Sequence, residues 1–277
     1  MDLIDSHMHF DALSLSDVQE LSMNGIRAVV SFPVWPWRAG VDSNTQIALI
    51  DRLLRHETFR AEENNVQLFI GVGVVAVSVP KDVEKFFGQM EEYLKEPRVL
   101  AIGEVGFDPR SQTCKDFRRQ SEILSIQLKM AKDHHLPIVI HTPPDLGQVR
   151  IEVKEKYTKR EFMERTLDLI HEAGLLPERV VLDHLDTEEW VKFALENGLY
   201  AGITIQEWRG TSPELVACWA DTFGPEKILL NSDIASMVPG HLNVPKTVFY
   251  LRKRKVPEKK IKRMVYENPI TFYNLPL

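Results

Sequence analysis

The run Val99-Leu100-Ala101-Ile102-Gly103-Glu104-Val105-Gly106 decides the fold. It opens with four consecutive apolar residues, so a strand here has no water-facing side, as expected of a parallel sheet covered by helices on both faces. It then ends on a carboxylate set between two glycines. Similar short apolar runs occur at Asp2–Ser6, Ile26–Phe32, Val66–Val77, Pro137–His141, Val180–His184, Tyr200–Ile205 and Lys227–Asn231, with this one read as a strand over Val99–Glu104. Helical periodicity fills the gaps at Leu15–Met23, Asn44–Asn64, Asp82–Leu94, Phe117–His134, Lys159–Ala173, Thr187–Glu196 and Pro213–Phe223. A last helix is expected at Glu258–Tyr266, ending before Asn268-Pro269. Eight strand–helix units in 277 residues predict an α/β fold, a single (β/α)8 barrel. No Gly/Ser-rich linker breaks the alternation, so residues 1–277 read as one domain.

The composition suits a globular chain: 44% hydrophobic and 27% charged residues, with 34 Lys+Arg against 40 Asp+Glu and a net charge of −6. That acidic balance does not favour a protein devoted to holding nucleic acid. The most apolar stretch, Leu68–Val79, is too short for a membrane span, and the start Met1-Asp2-Leu3-Ile4-Asp5 has no basic and apolar leader pattern. Cys114 and Cys218 form neither a CxxC pair nor a disulfide framework, which points to a reducing cytoplasm. Nothing in the sequence demands a membrane or an obligate protein partner.

The chemistry gathers at the ends of the expected strands. His7-Met8-His9 closes the first, and residues two apart on a strand face the same way. The fourth ends at Glu104, the fifth at His141, the sixth at Asp183-His184 and the eighth at Asn231-Ser232-Asp233. Each alone can be a cap, a turn residue or a hydrogen-bonded core histidine. Together they lie at the C-terminal ends of barrel strands, where (β/α)8 enzymes keep their active sites. Four histidines and two carboxylates suit zinc first, with manganese, nickel, iron, cobalt or magnesium as alternatives.

At these residues the sequence resembles the TatD-like metal-dependent hydrolases of the amidohydrolase superfamily. The resemblance runs through Asp5-Ser6-His7-Met8-His9, Gly103-Glu104-Val105-Gly106-Phe107-Asp108, Leu136-Pro137-Ile138-Val139-Ile140-His141, His184, Ser232-Asp233 and Glu267-Asn268-Pro269 with Phe272-Tyr273. It implies a dinuclear centre in which His7, His9 and Asp233 hold one metal, His141 and His184 hold the other, and Glu104 bridges them. Two such cations activate water for attack on an ester, phosphoester or amide, with Asp233 as the candidate general base. Three places depart from the family's nucleases. Asp183-His184-Leu185-Asp186 lacks their Ser/Thr-Gly, Asn231-Ser232-Asp233 replaces Glu-Thr-Asp, and Thr142 follows His141 where they often carry an arginine for phosphate. A small-molecule or phosphoester substrate is therefore expected ahead of DNA. A 3′–5′ deoxyribonuclease and a non-catalytic metal-binding barrel remain as alternatives.

Weaker features complete the reading. Trp35-Pro36-Trp37-Arg38 is a lid or a packed loop, and Gln206-Glu207-Trp208-Arg209 offers Arg209 to an anionic group. Asp5 and Asp108 either orient ligands or make local hydrogen bonds. His134 and His135 end a helix and carry no catalytic expectation. The basic run Arg252–Arg263 reads as a solvated helix face, and the mixed charges of Arg150–Arg165 as a loop and an exposed helix side.

Overall fold

Eight parallel strands lie side by side in chain order, in a computed structural model that describes residues 1–34, 41–144, 157–235 and 238–277. They are β1 (Leu3–Met8), β2 (Ile26–Ser31), β3 (Gln67–Val72), β4 (Val99–Gly106), β5 (Ile138–His141), β6 (Val180–Asp183), β7 (Tyr200–Thr204) and β8 (Ile228–Asn231). The helices are α1 (Leu15–Met23), α2 (Ser43–Arg52), α3 (Thr58–Glu62), α4 (Val83–Tyr93), α5 (Phe117–Asp133), α6 (Lys159–Ala173), α7 (Glu188–Glu196), α8 (Pro213–Phe223), α9 (Asn243–Lys253), α10 (Glu258–Lys262) and α11 (Asn268–Tyr273). This is the expected (β/α)8 barrel. Among the described residues no helix is long and apolar enough to cross a membrane.

The seam between β8 and β1 closes the barrel. Asp233 N–H donates to the His7 carbonyl (3.0 Å) and His9 N–H to the Ile234 carbonyl (2.9 Å). Two side chains reinforce it: Ser6 Oγ donates to the Leu230 carbonyl (3.0 Å), and the Asp5 carboxylate accepts from Ser232 N–H (3.1 Å).

The core has two compartments. Outward-facing aliphatic side chains pack against the helices, while Ile4, Val30, Phe32, Phe69, Val139 and Leu229 fill the barrel interior. Phe272 and Tyr273 from α11 join this inner cluster, and the Tyr273 hydroxyl donates to the Ser6 carbonyl (2.8 Å). Near the upper end the Phe32 ring fills the space beside Gly71, where a Cβ would lie 2.0 Å from it. That ring lies 4.4 Å from the His7 ring and floors the site.

Several boundaries differ from those expected. The apolar run Val66–Val77 is strand only to Val72, because Gln127 of α5 replaces a sheet neighbour. Its amide accepts from Val74 N–H (2.6 Å) and donates to the Val74 carbonyl (3.0 Å). The expected Asn44–Asn64 helix is α2 and α3 joined by a wide turn at Leu53–Glu57. A second wide turn, Arg263–Glu267, carries the last helix through Asn268-Pro269 instead of ending there. Proline is tolerated near the start of a helical segment, where its missing N–H has no partner to lose. α9 is an element beyond those expected from the sequence; its start has no side-chain cap on Leu242. The basic run at its end is largely exposed and partly ion-paired, with Arg252 on Glu258 and Arg254 on Asp221. The Trp35-Pro36-Trp37-Arg38 loop, Asp145 and the 150–156 part of the charged insertion lie outside the described residues.

Phe272 is 1% exposed and packs 4.8 Å from the Tyr200 ring. Phe272→Ala is expected to cost about 3–5 kcal/mol in chemical denaturation by leaving a cavity at the base of the barrel. A loss under 1 kcal/mol would contradict this role for α11.

Candidate metal centre

The structure brings all six residues singled out in the sequence into one buried cluster above the Phe32 ring. His7, His9 and Glu104 present ligand atoms within 4.8 Å of one another, and so do Glu104, His141 and His184, and His7, His184 and Asp233. His184 and Asp233 sit just beyond their strands with positive φ (61° and 44°), an uncommon backbone state for residues other than glycine. Both side chains turn into the cluster from that conformation.

Each imidazole is oriented by a partner on its far nitrogen. His7 Nδ1 donates to Asp183 Oδ2 (2.5 Å), which leaves Nε2 as the lone-pair side. That Nε2 is fully buried and has no hydrogen-bond partner. A buried nitrogen lone pair facing a carboxylate and two further imidazoles suits a cation. His9 Nδ1 donates to the Phe32 carbonyl (2.8 Å) and points Nε2 at Asp233 Oδ1, 3.4 Å away. His184 Nδ1 donates to Thr204 Oγ1 (2.8 Å), and its Nε2 lies 2.5 Å from Glu104 Oε1. His141 is oriented the other way. Its Nε2 meets Asp108 Oδ2 (3.1 Å), and its Nδ1 meets the same Glu104 oxygen (2.5 Å). Arg110 in turn grips the Asp108 carboxylate through Nε (2.9 Å) and Nη2.

Asp183, Asn231, Thr204 and Gln206, to which the sequence assigns no role, surround the cluster. Thr204 Oγ1 donates to Asn231 Oδ1 (2.8 Å), and Asn231 Nδ2 donates to Asp183 Oδ1 (2.8 Å). His184 is thereby linked to His7 through Thr204, Asn231 and Asp183. A glutamate at position 231 would set a second carboxylate against Asp183, so the asparagine fits this neighbour. Gln206 Nε2 donates to the Asp233 carbonyl (2.7 Å) and to Asp233 Oδ2 (3.1 Å), fixing that side chain. The one available signal for Asp183 was its place beside His184 at the end of an apolar strand.

Asp5 accepts from the backbone of His7 and Ser232, and burial pushes its pKa up to about 7 despite those bonds. Thr142, in the position that follows the fifth-strand histidine, donates to the Asp183 carbonyl (2.6 Å) and ties β5 to β6. Asp186 is paired with buried Lys159 (2.6 Å).

The TatD-related DNase family model matches residues 4–274. The chain belongs to this family. An uncharacterized metal-dependent hydrolase of Methanocaldococcus jannaschii is 29% identical over 275 residues, 99% of this chain and 100% of that one. Among solved structures, a TatD-like protein from Archaeoglobus fulgidus superposes with a TM-score of 0.75 at 25% identity, covering 98% of this chain and 100% of that one. A TatD family hydrolase from Entamoeba histolytica shares the fold at a TM-score of 0.67 and 14% identity, covering 99% and 98%.

Without cations, protons balance the charge. Burial alone would lower the His9 pKa, but the Asp233 hydrogen bond and charge carry it up to about 9. Burial likewise opposes, and Glu104 and Asp108 override it, in raising His141 to about 9. The imidazoles in turn hold Glu104 and Asp233 far below the usual carboxylate range, against the upward push of burial.

Two outcomes follow. Raised histidine pKa values stabilise the metal-free protein fully below about pH 6.5, and that contribution is lost as pH rises through about 9. Cation uptake must displace these protons, so apparent affinity should rise across that window, with proton release seen by calorimetry in buffers of different ionisation enthalpy. Uptake independent of pH would contradict it. Asn231→Asp places like charge against Asp183 and should weaken metal binding about 10–100-fold in competition with a chelator; an unchanged affinity would remove Asn231 from the network.

Proposed function

We propose that this metal-dependent hydrolase of the TatD type works with two divalent cations and cleaves an ester, phosphoester or amide bond of a small substrate, with residues 1–277 acting as one unit. The observation that carries the reading is Glu104, whose carboxylate belongs both to the group with His7 and His9 and to the group with His141 and His184. In this reading His7, His9 and Asp233 hold one cation, His141 and His184 hold the other, and Glu104 serves both. Zinc suits the nitrogen-rich donor set best, with manganese, nickel, iron, cobalt or magnesium as alternatives. Bound cations lower the pKa of a coordinated water to about 7 and polarise the bond under attack.

The chain's own residues then handle protons and position. Asp233 accepts the proton of the attacking water at Oδ1, while Gln206 keeps its Oδ2 turned aside. Asp233 returns that proton to the leaving group. Asp183 and Thr204 hold protons on the far nitrogens of His7 and His184, so both rings keep a lone pair toward the centre. Free Cys114 and Cys218 suit a reducing cytoplasm. A deoxyribonuclease is the second reading; against it, the position after His141 offers no cation to a phosphate, since Thr142 spends its hydroxyl on backbone carbonyls.

Asp233→Asn is expected to lower kcat about 10²–10⁴-fold on the best substrate from a panel of esters, phosphoesters and amides. A nearly fully active variant would contradict the role of Asp233. Chelation should abolish turnover of the native protein, and added zinc or manganese should restore it. A stabilising metal with no turnover on any of the panel would favour a non-catalytic barrel instead.

A further inference from the structure

Among the described residues, three arginine or lysine side chains are buried around the cluster, and one of them is matched differently. Arg110 is hydrogen-bonded to Asp108, and Lys159 to Asp186. Arg209, 5% exposed, lies in the turn after β7. Its Nε donates to Gln206 Oε1 (2.9 Å), a neutral partner. Its Nη2 comes only within 3.6 Å of Asp233 Oδ2, too far for a hydrogen bond, and its buried Nη1 has no hydrogen-bond partner. Leaving a buried charged donor unmet is costly. Asp233, the nearest carboxylate, is also shared by His7, His9 and His184.

We propose that Arg209 anchors an anionic group, a phosphate or a carboxylate, carried by the substrate beside the bond that is cut. The proposal rests on the two-cation reading above, in which Asp233 is committed to a cation and no longer balances Arg209. Two dications added to this cluster also leave it net positive, which favours an anionic substrate. The guanidinium presents a planar donor fork, and such forks bind carboxylate and phosphate through two parallel bonds. Its Nε edge is held by Gln206, and its Cζ lies over the Trp208 ring, 4.5 Å from the centroid. Trp208 itself is 50% exposed, so the buried guanidinium lies one residue from solvent. Arg209 thus supplies from the β7 side the cation that Thr142 does not supply after β5.

The test measures binding without turnover. Zinc-loaded wild-type, Arg209→Met and Arg209→Lys proteins are titrated calorimetrically with inorganic phosphate and, separately, with acetate. The wild type is expected to bind at least one probe, the preferred one showing whether the substrate's anionic group is a phosphate or a carboxylate. Arg209→Met should weaken that binding at least about tenfold at unchanged metal content by elemental analysis. Arg209→Lys, which keeps a charge but loses the fork, should fall between them and carries the test if the methionine variant does not fold. Wild-type affinity for both probes in the variants, or loss of metal from both, would overturn the proposal and leave Arg209 as a structural partner of Asp233. Because no hydrolysis is read, failure of the hydrolase reading would appear separately, as absent turnover in a wild type that still binds the anion through Arg209.

Discussion

The meeting of β8 with β1 is the constraint on which the site depends. These strands come from opposite ends of the barrel's chain order, and short backbone bonds from Asp233 to His7 and from His9 to Ile234 join them. The same bonds set two histidines and an aspartate side by side. Ser6 and Asp5 add side-chain links across the seam, and Tyr273 donates to the Ser6 carbonyl from the plug below. Barrel closure and assembly of one half of the cluster are therefore a single structural event.

The other half is held by a different device. Glu104 turns one oxygen toward both His141 and His184, and each of these rings is steadied from behind, by Asp108 and by Thr204. The two halves are connected through Asn231, which lets Asp183 hold His7 while Thr204 holds His184. So much buried charge is tolerable only when each donor and acceptor is met. Among the described residues of this region, Nε2 of His7, Oδ2 of Asp5 and Nη1 of Arg209 are unmet, the first of them facing the space among the ligand-type residues.

Much of this was legible in the sequence, for a physical reason. Strands buried on both faces must be continuously apolar, so a polar residue that ends one stands out, and His7, Glu104, His141 and Asp233 were visible in that way. The supporting residues were not visible because their partners are distant: His7 and Asp183 are 176 residues apart. The overlong reading of β3 has the same origin, since hydrophobicity cannot reveal that Gln127 in α5 will satisfy the backbone of Val74. The missed α9 lacked a capping side chain to announce it, and α10 to α11 run on through a wide turn that no local signal marks.

The most direct measurement is anomalous diffraction at the zinc edge from crystals of the zinc-loaded protein. The account predicts two peaks on either side of the Glu104 carboxylate, one bounded by His7, His9 and Asp233 and the other by His141 and His184. A single peak that does not touch Glu104, or zinc bound only elsewhere on the molecule, would contradict it.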